Sequence, residues 1–321
     1  MIELTTASRH PINPGTEAND LAELKDIMDQ DLKRARLYQF KLGDCVVSNI
    51  LDGYFHRNDL HPFVATNAEA SEVEALAAQY QLPFPALEHN FVPSVVETPD
   101  QLVVIDPGFG PAAPAPSTGW FMQGLQEAGY DAADVDILLI SHCHPDHIGN
   151  VSKDGTPIFP NAKITICQAE FDYWKKGENI SEMRQPTLAL FQKVLLPLED
   201  QLVMIQPGDE IVPGLLAIDA SGHSAGHLVF QLTSKGQSLL FLNDATPHYV
   251  ASFANPDWHF AMDDAPEKAA IARRKMLELA VDDSLPVIGF HLPFPSIGYV
   301  EKKGDGFEFR PATYQFNLPS E

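Results

Sequence analysis

The segment "SHCHPDHIGN", Ser141 to Asn150, places His142, His144, Asp146 and His147 within six positions, directly after the apolar run "VDILLI". Each of these four side chains can ligate a metal ion. In an extended segment successive side chains point to opposite faces, so His142 and His144 share one side while Cys143 faces the other. Pro145 turns the chain and lets Asp146 and His147 reach the same cavity from a different angle. Two imidazoles with one spacer make a pair of nitrogen ligands, and the Asp-His that follows offers ligands for a second ion. The competing reading is a polar loop at the end of a buried strand. It leaves several polar groups without obvious partners, at about 1–3 kcal/mol each. A lone histidine would favour that reading; four candidates in this arrangement do not.

Further ligands are expected at the ends of later strands. "IDASGHSAGHLVF" sets His223 in a Gly-flanked turn between apolar runs, "SLLFLNDA" ends on Asp244, and "LPVIGFHL" ends on His291. Taken singly, each reads more simply as a turn residue or a hydrogen-bonded core group. Together, behind the first motif, they repeat one logic: an apolar strand, then a ligand-capable side chain at its exit. His227, four residues beyond His223, fits a supporting role better than that of an extra ligand, and His56, His61, His248 and His259 carry no assigned role.

The elements that must position these residues follow from hydrophobic period and turn chemistry. Residues 1–37 read as a polar arm followed by an amphipathic helix, with Leu21, Leu24, Met28 and Leu32 at helical spacing. Residues 38–321 read as one catalytic domain. It opens with two strands around the Gly43-Asp44 turn and carries an insertion at about 54–90, rich in Pro, His and Phe, that can overhang a site. Within the insertion "SEVEALAAQY" predicts a helix with a capping box from Ser71 to Glu74 and a stripe of Val73, Leu76, Ala77 and Tyr80. Two strands joined by "TPDQ" lead to Asp106-Pro107-Gly108. A helix then presents Phe121, Leu125 and Ala128 on one face and stops at Gly129. "KITICQ" predicts a strand and "EFDYWKK" a helix. After two further strand groups comes a helix capped by Asp264 and Glu267, with Ala270, Leu277 and Val281 along one side. Strands dominate both halves and helices punctuate them, which predicts two sheets packed face to face with helices outside.

Composition narrows the partners. The chain has 321 residues, 45% of them hydrophobic, and sets 21 Lys plus Arg against 44 Asp plus Glu for a formal net charge of −23. Such a surface repels phosphate backbones and anionic membranes, and the densest basic run is only "KRAR" at 33–36. Neither nucleic acid nor a membrane is an expected partner. Cys45, Cys143 and Cys167 are too few and odd in number for a disulfide framework. The opening "MIELTTASRHPINPG" lacks the basic-then-apolar pattern of a secretion signal, and no run approaches the roughly 20 apolar residues of a membrane span. A cytoplasmic location is expected.

The pattern His-x-His-x-Asp-His, followed in order by a distant His, an Asp and a final His, resembles the hydrolase signature of the metallo-β-lactamase superfamily over roughly residues 40–300. The resemblance implies an α+β fold, a four-layer αββα sandwich with a binuclear metal site at one edge. It assigns His142, His144 and His223 to a first metal, Asp146, His147 and His291 to a second, and Asp244 as the bridge. The flanking text, "FPNAKITICQAEFDYW" and "GFHLPFPSIG", looks like that of methyl parathion hydrolases and related aryl-lactone and ester hydrolases. In that group an aromatic pocket adjoins the metals, and Trp174 and Phe191 match pocket positions by their offset from the motif. The group also forms homodimers. One departure is Pro247, which stands where common acyl-homoserine lactonases carry a tyrosine three residues after the bridging aspartate.

The implied chemistry is hydrolysis of a small lactone or aryl ester, with organophosphate triesters as a side activity. Two divalent ions would share a water, lower its pKa toward about 7, and use the bridging hydroxide as nucleophile. Asp146 would orient it and Asp244 would fix the metal separation. Zinc is the first choice of metal; mixed nitrogen and carboxylate sites also accept Mn, Fe or Co. Two other readings compete. A glutathione thioester hydrolase would need a basic C-terminal grip, of which "EKKGDGFEFRPATYQFNLPSE" is a thin version. A ligand-binding sensor without turnover would be expected to have lost a ligand.

Overall fold

The computed structural model describes residues 34–178 and 180–313, and the unit Arg36–Glu321 holds every element named below. The expected helix bearing Leu21, Leu24, Met28 and Leu32 lies outside the described residues. The strands, in chain order, are β1 (Leu37–Leu42), β2 (Cys45–Ile50), β3 (Gly53–Arg57), β4 (Leu87–Phe91), β5 (Ser94–Glu97), β6 (Leu102–Ile105), β7 (Ile137–Ile140), β8 (Ser152–Lys153), β9 (Thr156–Pro157), β10 (Lys163–Cys167) and β11 (Val203–Ile205). The second half adds β12 (Glu210–Val212), β13 (Leu215–Asp219), β14 (Leu228–Ser234), β15 (Gln237–Asn243), β16 (Val287–Gly289), β17 (Ile297–Lys303) and β18 (Gly306–Pro311). The principal helices are α1 (Ala70–Gln79), α2 (Phe121–Glu127), α3 (Gln168–Lys176), α4 (Gln185–Val194) and α5 (Pro266–Asp282).

Two seven-stranded sheets result, ordered β1-β2-β5-β6-β7-β10-β11 and β12 through β18 in sequence. In the first sheet the hairpin-connected strands pair antiparallel, and β6, β7, β10 and β11 pair parallel. The run "ILLI" of β7 shows why its apolar residues do not alternate with polar ones. Ile137 and Leu139 enter the layer between the sheets, against Leu228, Phe230 and Phe241, while Leu138 and Ile140 face outward onto Phe121, Leu125 and Phe171 of α2 and α3. A strand covered on both faces reads as a continuous apolar run. On the far side, Val229, Leu240 and Val287 of the second sheet pack on Met276, Leu277 and Ala280 of α5. Helix, sheet, sheet, helix is the expected four-layer αββα sandwich.

Two helix starts differ from expectation. The capping box of α1 runs from Glu69 to Glu72, whose carboxylate accepts the Glu69 N–H at 2.9 Å, because the helix begins one residue before Ser71. Helix α5 starts on Pro266 after Ala265, and the Asp264 carboxylate expected to cap it is instead paired with Arg184 at 2.8 Å. Proline at the first helical position needs no cap for its missing N–H. The predicted stop of α2 holds: Gly129 follows its last turn with φ 94°. The insertion builds a small body of its own. Strands β3 and β4 form an antiparallel ribbon, and Leu60, Phe63, Val73, Ala77 and Leu87 close a separate apolar cluster with Phe260.

Candidate metal centre

Four strands deliver the seven predicted ligands to one place. The loop leaving β7 carries His142 and His144, and the single turn Pro145–Ile148 then turns Asp146 and His147 back. His223 comes from the β13–β14 connection, Asp244 follows β15, and His291 follows β16. The loops of the two sheets are stitched by the Leu228 N–H donating to the Ser141 carbonyl at 3.1 Å. Two groups form, His142, His144, His223 and Asp244, and Asp146, His147, Asp244 and His291; within each, one ligand atom per residue lies within 4.8 Å of the others. His223 Nε2 is 2.9 Å from His144 Nδ1 and 3.1 Å from Asp244 Oδ2, and His142 Nε2 is 3.8 Å from the same oxygen. In the second group His147 Nε2 is 3.3 Å from both Asp146 Oδ2 and Asp244 Oδ1, and His291 Nε2 is 3.0 Å from Asp244 Oδ2.

The outward nitrogens of these rings are held, which fixes what their inward nitrogens can do. Ser141 Oγ donates to Asp106 at 2.6 Å and stands 3.0 Å from His142 Nδ1, so it accepts that ring's N–H. His147 Nδ1 donates to Asp106 at 2.9 Å, His223 Nδ1 to Asp263 at 2.9 Å, and His291 Nδ1 to the Asn90 carbonyl at 2.8 Å. Each of these four rings therefore turns its Nε2 toward the centre, where the neutral ring would offer a lone pair to a cation, the arrangement by which outer partners orient metal-binding imidazoles. His144 differs, bringing Nδ1 to the centre. Among the described residues, the buried atoms left without a hydrogen bond include His142 Nε2, His147 Nε2 and Asp244 Oδ1. A buried orphan of this kind costs about 1–3 kcal/mol. Divalent cations would satisfy these three at once, so the residues present fit two metal ions.

The charges in the cluster are strongly interdependent. Burial holds the His142 and His144 imidazoles well below the ordinary histidine range, and neighbouring charged groups add to it. For His147 burial pulls the same way but is outweighed by the carboxylates of Asp244, Asp146 and Asp106, which push it well up. Burial would raise Asp244, yet His291, His147 and His223 hold it well below the carboxylate range. Asp263 and Asp244 overcome burial at His223 and push it up to about 9.

Three further groups fix the loops, and only one was singled out in the sequence. His227, expected as a support, accepts the Asp244 N–H at 3.3 Å and stands 3.1 Å from the Ala220 carbonyl; burial takes it down to about 3, so it stays neutral. Glu170, at the start of α3, is fully buried and joins the two ligand loops. It accepts from Cys143 N at 2.9 Å, Ser224 Oγ at 2.6 Å, Gly226 N at 2.7 Å and Trp174 Nε1 at 2.7 Å. A Cβ on Gly226 would come within 2.3 Å of the Glu170 backbone nitrogen, so this approach requires glycine. Asp263 completes the set, accepting from Arg273 at 3.2 Å on its other oxygen.

A cavity of about 180 Å3 opens beside the cluster, onto His144, Asp146, His223, Asp244 and His291. Its walls are Phe55, Phe63, Phe91, Phe109 and Phe260, with Met262, and its other polar members are Arg57, His89 and Arg184. Phe55, Arg57, Phe63 and His89 of this wall fall within residues 54–90. His89 stacks on His291 at 4.1 Å between ring centres. Trp174 and Phe191, expected in the pocket, lie elsewhere. Both are fully buried on the helix-facing side of the first sheet, with Trp174 turned onto Glu170. An offset from a motif does not tell which face of a helix a residue occupies. Cys45, Cys143 and Cys167 are buried free thiols.

Residues 93–288 match the family model described as the metallo-beta-lactamase superfamily. The N-acyl homoserine lactonase of Bacillus cereus is 26% identical over 167 residues, 52% of this chain and 59% of the relative, so the chain spans about three fifths of that relative's length. Among solved structures, AidC, a dizinc quorum-quenching lactonase in complex with a product, N-hexanoyl-L-homoserine, matches with a TM-score of 0.81 at 28% identity, covering 87% of this chain and 98% of AidC. The hydrolase AbOPH in the β-lactamase superfamily matches with a TM-score of 0.81 at 25% identity, covering 88% of this chain and 99% of the other. Among the described residues no helix is long and apolar enough to cross a membrane.

Proposed function

This chain belongs to the metallo-β-lactamase superfamily, and on that footing we propose that it is a metal-dependent hydrolase of small lactones and aryl esters, with organophosphate triesters as a side activity. The observation that carries the reading is the convergence of four fixed Nε2 lone pairs on Asp244, with three buried ligand atoms lacking hydrogen bonds. His142, His144, His223 and Asp244 would hold one cation, and Asp146, His147, His291 and Asp244 the other. Zinc is the first choice, by likeness to dizinc AidC, and the donor set also suits Mn, Fe or Co. Bound there, two divalent cations would supply a Lewis acid for the scissile carbonyl or phosphoryl group and a water acidified toward neutral pH.

The chain's own residues do the rest. Asp244 belongs to both groups and sets their spacing. Asp146 is the most open of the three carboxylates Asp106, Asp146 and Asp244, with 13% of its side chain exposed, and it lines the cavity, so it is placed to orient the attacking water. Phe55, Phe91 and Phe109 pack edge to face or tilted, with Phe91 4.7 Å from each of the others, and exclude bulk water from the reacting group. A water-poor wall strengthens every electrostatic contact made within it. The C-terminal hairpin does not favour the thioester reading: Lys303 is paired with Glu308 and Arg310 with Glu301. We also propose a homodimer, for which light scattering should give about twice the 35.4 kDa chain mass.

The test is a panel of dihydrocoumarin, an N-acyl homoserine lactone, a nitrophenyl ester and a methyl phosphotriester with metal-replete protein. Lactone and ester turnover that chelation abolishes and added zinc restores is the expected result; metal-replete protein inert on the whole panel would overturn the reading.

A further inference from the structure

Two guanidinium groups line the cavity of a strongly acidic chain, and neither is a free charge. Arg57 grips Asp59 through Nε and Nη2 at 2.9 and 2.7 Å and lies 3.8 Å over the Phe63 ring. Arg184 is more deeply set, only 3% exposed, and precedes the first turn of α4. Its Nε donates to Asp264 Oδ1 at 2.8 Å and its Nη2 to the Met262 carbonyl. The same segment buttresses a metal-site histidine, since the Asp264 N–H donates to the His223 carbonyl at 3.1 Å and Asp263 accepts from the His223 ring. The guanidinium is thus fastened to the backbone that fastens His223. One donor group is left: among the described residues Nη1 has no hydrogen-bond partner, and Arg184 lines the cavity with what little surface it exposes.

An N–H donor at the wall of a largely aromatic cavity gains a hydrogen bond when a ligand offers it an acceptor. Because Asp264 already balances the charge of Arg184, the feature offered to a ligand is a fixed N–H donor rather than a net positive charge. The matching ligand group is therefore a neutral acceptor, an amide or ester carbonyl. The hydrolase reading sets the scissile carbonyl over Asp146, Asp244 and His291, which leaves Nη1 for a second acceptor on the same ligand. We propose that Arg184 is a specificity-determining residue whose Nη1 donates to a second, uncleaved carbonyl of the substrate, so that the preferred substrates are lactones or esters carrying an additional amide or ester carbonyl. This rests on the hydrolase reading above. A substrate lacking that carbonyl leaves the donor unpaired and is disfavoured by about tenfold or more.

The test compares N-hexanoyl homoserine lactone with α-heptyl-γ-butyrolactone, which keeps ring and chain but lacks the amide, in the metal-loaded wild type and in Arg184→Met and Arg184→Lys. The wild type should prefer the amide-bearing lactone by about tenfold or more in kcat/KM. Arg184→Met should bring that preference within about threefold, mainly by raising KM for the amide-bearing lactone, and Arg184→Lys should fall between them. A wild type with no preference, or an Arg184→Met change that lowers both lactones equally, overturns the inference and leaves the hydrolase reading standing. If Arg184→Met does not fold, Arg184→Lys decides by the same ratio. If the wild type turns over neither lactone, the hydrolase reading is decided by the full panel above. Calorimetric binding of N-hexanoyl homoserine against the amide-free hydroxy acid then decides the inference separately: a wild-type preference that is reduced in Arg184→Lys upholds it, and a wild type without preference, or one whose preference Arg184→Lys leaves unchanged, overturns it.

Discussion

Loss of His142 or of Asp146 removes different things, and the difference can be measured. His142→Ala deletes a buried nitrogen of the first group, whereas Asp146→Ala deletes a cavity-facing carboxylate that belongs to the second group alone. Both should lower turnover on the order of 10²–10³-fold or more while leaving the far-ultraviolet circular dichroism spectrum intact. Turnover surviving both changes would make the metal mechanism wrong. Glu170→Gln tests the outer layer: an amide NH2 must now face at least one of the N–H and O–H donors that the carboxylate accepts. Metal affinity should fall about 10–100-fold with the fold retained; unchanged affinity would show that the two loops hold their shape without this carboxylate. The seven candidate ligands were legible because each follows an apolar strand at a short, local offset. Glu170, Asp106 and Asp263 were not, since what they do depends on partners such as Gly226, His147 and His223, 56, 41 and 40 residues away. No local pattern marks such a carboxylate as the clasp between two loops.

At the scale of elements, period and turn chemistry located strands and helices, and faltered where two local solutions were nearly equivalent. Ser71 with Glu74 and Glu69 with Glu72 both satisfy the spacing of a capping box, and the helix used the earlier one. The aromatic wall was illegible for another reason: Phe55 comes from β3, Phe91 from β4, Phe109 from the loop after β6, and Phe260 from a loop before α5, and only tertiary packing brings them together. One unassigned histidine now has an element-level role. His248 Nδ1 accepts the N–H groups of Val250 and Ala251 at 3.1 and 3.0 Å, starting the turn Ala251–Ala254. A proton on that nitrogen would face two donors, and burial holds the ring down to about 4 from its ordinary 6.5. Between those values the unfolded chain binds more protons than the fold. The stability that neutral His248 contributes is therefore complete above pH 6.5 and is lost as pH falls toward 4. The loss is about 3 kcal/mol by this linkage. Denaturant midpoints of wild type and His248→Asn, which keeps an acceptor at the same place, should diverge as pH is lowered through this window, with the wild type losing more. Parallel profiles would mean that His248 does not titrate there.

Across the whole molecule, the cluster spans the seam between the sheets. His142, His144, Asp146 and His147 come from the first sheet's loop and His223, Asp244 and His291 from the second's. Cations bound there would tie the two halves together, and a ligand held only by the folded state stabilises it by mass action. Chelation should lower the melting temperature by roughly 10 °C, and an unchanged melting curve would show that the seam closes without them. The sandwich itself was readable because the central strands of both sheets, such as Leu102–Ile105, Ile137–Ile140 and the end of Gln237–Asn243, are buried on both faces and read as apolar runs. The cavity's outline was not readable, since its lining comes from segments as far apart as Phe55, Phe109, Arg184 and Phe260, whose meeting no periodicity reveals. The most direct test of the account is the metal content of purified protein set beside its turnover of the substrate panel. The account predicts about two equivalents of transition metal per chain, one for each ligand group, with activity that disappears when they are stripped and returns when they are restored. Full activity in protein carrying no stoichiometric metal would contradict it.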